Sequence, residues 1–163
     1  MRLIKLALIS AIVLFGLITL MSSFLPSHIR ISRAIDINAA GNKVYNQLAS
    51  IKQWEQWNEY IRSYHNKKIE ENSLSADEVT VIINSRTNSL VTSQWQQSSG
   101  NKFGSGFAII TQDGTHTTLQ WYFDFHLSWY PWEKFQSIIY DQQLGPVMEK
   151  SLANVKKIAE NSQ

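Results

Sequence analysis

The sequence predicts an α+β fold in which a curved antiparallel sheet wraps a long C-terminal helix, with one apolar helix ahead of it. Three stretches carry that expectation. Between Leu119 and Trp129 the side chains alternate: Leu119, Trp121, Phe123, Phe125, Leu127 and Trp129 share one face, and Gln120, Tyr122, Asp124, His126 and Ser128 share the other. A period of two with one apolar face is the pattern of an antiparallel strand that covers a core on one side and meets water on the other. Pro131 then stops the strand and stands where proline is favoured, in the first turn of a helix. Trp132, Phe135 and Ile138/Ile139, followed by Val147/Met148, Ser151/Leu152, Val155 and Ile158/Ala159, recur at helical spacing nearly to the C-terminus. The third stretch, Leu6 to Leu25, runs 20 residues without a charge.

Taken in order, the apolar run comes first. As a helix it spans about 30 Å, the thickness of a bilayer's hydrocarbon core. It is apolar all round, unlike a core helix with one buried stripe. Arg2 and Lys5 precede it, as they would in an export signal. Cleavage, however, needs small residues at the first and third positions before the cut, after an apolar core of about 7–15 residues. Cuts after Ser22 or Ser23 put Leu20 or Met21 at the third position. The expectation is therefore an uncleaved, single-pass transmembrane signal anchor over residues 1–27 and one domain over residues 28–163. Arg2 and Lys5 hold the N-terminus in the cytoplasm, which places the domain on the extracytoplasmic (periplasmic) side; Arg30 and Arg33 oppose this, but read as part of a strand. Only Pro26 and Ser27 separate the span from the next element, so the domain is expected close against the bilayer.

His28 to Asn38 alternates as a first strand, with Ile29, Ile31, Ala34/Ile35 and Ile37 apolar and a slip near Arg33 that predicts a bulge. Asn38 is a candidate cap for a helix carrying Val44, Leu48 and Ile51. A further helical stretch carries Trp54, Trp57 and Tyr60-Ile61. About five strands follow. Tyr64–Glu70 is weak and polar; Asn72–Asp77 reads as a turn; Val79, Val81 and Ile83 alternate; Val91, Ser93 and Trp95 share a face; and Phe103, Ser105, Phe107, Ile109 and Thr111 share another. Opposite that last face lie Gly104, Gly106 and Ala108, small enough for a close approach. Turns are expected at Thr87–Ser89, Ser98–Asn101 and Gln112–Gly114. Gly145-Pro146 is expected to break or kink the final helix.

Composition excludes several functions. There is no cysteine, hence no disulfide, thiolate or zinc-thiolate chemistry. Net charge is +2; with Arg2 and Lys5 set aside, 13 basic residues face 13 acidic ones and no basic stripe remains, so nucleic acid is not an expected partner. His28, His65, His116 and His126 show no helical metal-ligand spacing, and there is no phosphate loop or nucleophile elbow. No catalytic residue, metal or cofactor is expected. His116, His126 and Asp124 share the outward parity of the aromatic strand, where an Asp124–His126 pair would lie outside any cavity.

The run Ile35-Asp-Ile-Asn-Ala-Ala40 into Val44, the Trp54-Glu-Gln-Trp57-Asn58 signature, Tyr130-Pro-Trp-Glu-Lys-Phe135, Leu144-Gly-Pro146 and Leu152-Ala-Asn-Val-Lys-Lys157 resemble the START/Bet v 1-like (SRPBCC) superfamily. The bacterial polyketide cyclase/dehydrase-like branch is the nearest in pattern, over roughly residues 28–160. The resemblance implies a helix-grip fold around a hydrophobic cavity. It leaves the reaction open, since members bind lipids, sterols and polyketides or act on protein partners.

The inward face of the last strand would line such a cavity. Trp54, Trp57, Tyr60, Trp95, Phe107, Trp121, Phe123 and Phe125 are therefore the expected ligand-binding residues, with a hydrophobic or amphipathic small molecule, a lipid for example, as partner. The same aromatics also suit an ordinary core. A cyclase/dehydratase-type enzyme would have only Ser93, Ser105 and His65 to work with, and a protein-interaction module would have a filled core.

Overall fold

The computed structural model describes residues 2–161. Helix α1 (Arg2–Ser23) precedes strand β1 (His28–Ile37) and three short helices, α2 (Gly41–Leu48), α3 (Ile51–Trp57) and α4 (Glu59–Ser63). Six strands follow: β2 (Lys68–Ile69), β3 (Ser73–Ser75), β4 (Val79–Thr87), β5 (Leu90–Gln97), β6 (Lys102–Thr111) and β7 (Thr117–His126). The chain ends with α5 (Pro131–Gln136), a 3-10 turn at Ser137–Ile139, and α6 (Tyr140–Asn161). The strands form one antiparallel sheet in the order β1-β7-β6-β5-β4-β3-β2. The first and last strands meet in the chain's longest pairing, from His28↔His126 to Ile37↔Thr117. Helix α6 lies across the inner face of β1, and α2, α3 and α4 pack between α6 and the sheet.

The aromatic strand ends earlier than its alternation. Leu127 and Trp129 continue the pattern but lie beyond β7: the pairing with β1 ends at His28↔His126, and one further backbone bond, from the Leu127 amide to the Ser27 carbonyl (2.8 Å), closes the ladder. The meander holds one strand more than expected. Ser73–Ser75 lies inside the stretch read as a turn, yet Leu74 is fully buried opposite Val81 and draws the segment into the sheet.

No bulge interrupts β1. Arg33 keeps its inward parity and reaches α6, where its Nε donates to Glu149 (2.8 Å) and its Nη atoms donate to both carboxylate oxygens of Asp141 (2.9 and 3.1 Å). The apparent slip is an arginine in an apolar column, placed there to pair with acids of the last helix. Asn38 is not a cap. Ala40 fills the N-cap position of α2, and the Asn38 amide donates to Glu160. Asn58 does cap: its Oδ1 accepts from the Tyr60 and Ile61 amides, so the stretch read as one helix divides into α3 and α4.

Helix α6 runs unbroken through Pro146. A residue before proline is pushed out of the helical region partly by its own Cβ, and Gly145 has none. The real break lies upstream, at the 3-10 turn, where Ser137 Oγ donates to the Lys134 carbonyl. Gly145 also makes room for Arg33: a Cβ there would overlap the guanidinium. Glycine to alanine inside a helix ordinarily stabilises by about 1 kcal/mol. Gly145→Ala is expected to lose that gain or turn destabilising in urea unfolding. In an Arg33→Met background the same substitution should recover it.

On the outer face Gly106 has the corresponding role. A Cβ there would overlap the Tyr122 ring, which carries the Arg30 guanidinium 4.2 Å above its centroid. The close approach expected at the small residues of β6 is present.

The acids facing these arginines set the response to pH. Hydrogen bonds from Arg30 and Arg33 hold Asp124 and Asp141, respectively, below the ordinary carboxylate range, and Lys150 does the same for Glu59. A carboxylate depressed in the folded state contributes stability above its unfolded pKa and loses it as pH falls through the folded one. Tm should therefore hold level down to about pH 5 and fall below about pH 4. Calorimetry should find a smaller fall for Arg33→Met.

Candidate functional site

The indoles at the centre of the fold have no polar work left to do. Trp54, Trp57, Trp95 and Trp121 are all buried. Trp54 Nε1 donates to the Leu48 carbonyl (2.8 Å) and Trp57 Nε1 to the Gln47 carbonyl (3.0 Å). Trp95 Nε1 donates to Ser93 Oγ (3.2 Å), and Trp121 Nε1 to Ser105 Oγ (2.8 Å). A buried N–H needs a partner, and two inward serines supply it within the sheet. The rings then close on one another. Phe107 stacks on Trp121 at 5.2 Å, Trp57 meets both edge-on, and Tyr60 sits edge-on to Trp95, Trp121 and Phe123. Helix α6 adds Met148, Leu152 and Val155, all buried.

Of the eight residues expected to touch a ligand, seven thus belong to a close-packed centre: Trp54, Trp57, Tyr60, Trp95, Phe107, Trp121 and Phe123. Only Phe125 lines the large cleft. Of the space expected between Trp121–Phe125 and the last helix, the part beside Trp121 and Phe123 is occupied by four indoles and three further rings, and the part beside Phe125 is open. A large open volume lies at the end of the fold.

That cleft, of about 790 Å³, is bounded by the β5–β6 hairpin, the end of β7, α5 and the start of α6. Its apolar lining is Phe103, Phe125, Leu127, Trp132, Tyr140 and Leu144; Gln97, Asn101, Lys102, His126, Glu133 and Gln143 line it as well. Phe125 is the pivot of the wall, 4.9 Å from the Phe103 ring and 5.1 Å from that of Tyr140. Phe103 in turn touches Trp95 and Phe123, so the cleft backs directly onto the aromatic core. Behind it the Tyr60 hydroxyl donates to the Leu144 carbonyl at 3.2 Å. Burial holds that phenol above the ordinary tyrosine range and raises Tyr64 to about 12.

Phe103, Leu127, Trp132, Tyr140 and Leu144 were missed as site residues. Phe103 carried a usable signal, since it ends the inward face of its strand and pairs with Trp95 across the sheet. Tyr140 and Leu144, four apart on one helical turn, carried another.

The polar candidates fall away from catalysis. Ser93 and Ser105 accept from indoles, and His65 is exposed between α4 and β2. Asp124 and His126, placed together on the outward face, each take a nearer partner. Asp124 takes a two-pronged bond from Arg30 (2.7 Å each), with His28 Nε2 at 3.6 Å, while His126 packs against the His28 ring at 4.7 Å and lines the cleft. His116 pairs with Asp113 in the β6–β7 turn. Among the described residues no three His, Asp or Glu side chains gather as a metal site.

No family model matches the sequence, and no curated protein matches it. Solved structures do. A START superfamily protein from Mycobacterium smegmatis superposes with a TM-score of 0.60 at 15% identity, over 82% of this chain and 99% of that one. A Staphylococcus aureus protein of unknown function gives 0.64 at 12% identity, over 83% and 95%. The di-domain ARO/CYC StfQ from the steffimycin biosynthetic pathway gives 0.62 at 10% identity, over 82% of this chain and 51% of StfQ, about half of that longer protein. The chain therefore has the START-like helix-grip fold, shared with polyketide cyclase-like proteins. Ahead of it stands α1, long and apolar enough to cross a membrane.

Proposed function

We propose that this protein binds a hydrophobic or amphipathic, lipid-like small molecule in the end cleft, and that α1 tethers it in a membrane as a single-pass anchor with residues 28–163 as the extracytoplasmic binding domain. The observation that carries the reading is the cleft itself. At about 790 Å³ it falls in the range of small-molecule sites, and aromatic and aliphatic side chains line it together with polar ones. Phe125 contacts the ligand directly. Phe103, Tyr140 and Leu144 complete the apolar wall, and the other seven predicted aromatics hold it in shape from behind. Apolar burial supplies affinity at about 25 cal/mol per Å² before ordering costs. The cyclase-like neighbours suggest a reaction as an alternative, but the serines available for it are committed to indole N–H groups. The filled centre favours a pure interaction module; the open end favours binding.

A diazirine-bearing fatty-acyl probe, photolysed with the full chain in membranes, tests this reading. Cross-links are expected at Phe103, Phe125, Tyr140 and Leu144. Cross-links confined to α1 would overturn it.

A further inference from the structure

Among the described residues outside α1, most of the exposed large apolar side chains lie in the segment after β7. Trp129, Trp132 and Ile138 are 63%, 60% and 60% exposed, and Tyr130, Phe135 and Ile139 stand open beside them. Trp129, Tyr130 and Trp132 stack in series with centroids 4.7 Å apart. The patch is fixed in position. Helix α5 packs against the C-terminal end of α1, and the buried Lys134 sends its Nζ to the Leu25 carbonyl at 3.1 Å. The Glu133 carboxylate accepts from the Ser128 amide and holds the approach to α5. The exposed apolar residues of α1 and those of α5 and the 3-10 turn thus lie on elements in direct contact or in direct succession. Tryptophan and tyrosine are the residues favoured at the depth of lipid headgroups, and an apolar patch of this kind on a soluble surface calls for a covering.

We infer that Trp129–Ile139 docks into the interfacial layer of the bilayer beside α1, as a second membrane contact that turns the cleft toward lipid. The inference rests on the tether reading. It adds a function for Trp132, which belongs to both patch and cleft wall: its ring stands where a ligand would pass between bilayer and cleft. A lipid surface suits the patch better than a second copy of the chain, because the patch lies at the end of α1, among the described residues the one helix both long and apolar enough to cross a membrane.

The lack of native cysteine allows a direct test. Single cysteines replacing Leu14, Asn88, Phe135 or Ile138 in the full chain take an environment-sensitive fluorophore. Each variant is placed at one copy per nanodisc of phosphatidylethanolamine and phosphatidylglycerol. Nitroxides on the lipid chains near the headgroups should quench Phe135→Cys and Ile138→Cys at least about threefold more than Asn88→Cys, nitroxides at mid-chain should quench Leu14→Cys, and aqueous iodide should quench the two patch sites less than Asn88→Cys. Iodide quenching equal to that of Asn88→Cys would overturn the docking. So would protection from iodide without nitroxide quenching, which means cover by protein. If Leu14→Cys is quenched by nitroxide and the two patch sites are not, the docking fails and the tether stands. If no site is quenched, both fail.

Discussion

Trp121→Ala should lower the free energy of unfolding by about 3–5 kcal/mol, the range for removing a buried aromatic. Its ring is fully buried and touches Trp57, Tyr60, Phe107 and Phe123. Two losses add: the cavity left behind, and Ser105 Oγ, which stays buried without the indole that now bonds it. For a chain of this size that corresponds to a fall in Tm of about 6–20 °C. Trp129→Ala, the same substitution on an exposed ring, should stay within about 0.5 kcal/mol. Urea unfolding measures both. A loss below about 1.5 kcal/mol for Trp121→Ala would mean that the centre is looser than the ring packing requires.

Phe125→Asp should weaken ligand binding roughly 10- to 100-fold while leaving the fold intact. The apolar contact of one phenylalanine side chain is worth about 1.5–3 kcal/mol when fully made, and a carboxylate on the wall adds a desolvation cost that an apolar ligand cannot offset. Phe125 is only partly buried in the protein, so stability should change far less than for Trp121→Ala. Ile110→Asp puts the same charge on the exposed outer face and should leave binding unchanged. Thermal-shift titration with fatty acids and phospholipids separates the two. Equal losses in both variants would place the ligand elsewhere.

Much of the fold was legible because its signals are local. The Leu119–Trp129 alternation, the Pro131 boundary and the apolar N-terminal run each depend on short-range geometry. The errors came where a distant partner decides. Arg33 looked like a bulge because its acids, Asp141 and Glu149, lie more than a hundred residues away. Ser73–Ser75 looked like a turn because Leu74 alone marks it as buried. Gly145-Pro146 looked like a break because the pair's compatibility with a helix depends on the glycine, and the glycine also answers to Arg33.

The site was less legible. Period two distinguishes inward from outward, but it does not say which inward positions face open space and which face other side chains. Trp121 and Phe125 share a strand face and differ in what stands opposite. Trp57, Tyr60 and Phe107 close over Trp121, while Phe125 stands between Phe103 and Tyr140 at the wall of the cleft.

The most direct test of the binding reading is native mass spectrometry of the full chain ejected from membrane vesicles without detergent. The account predicts a non-covalent adduct that extracts into organic solvent and is lost in Phe125→Asp but kept in Ile110→Asp. A bare chain mass in the wild type, or the same adduct in both variants, would contradict it.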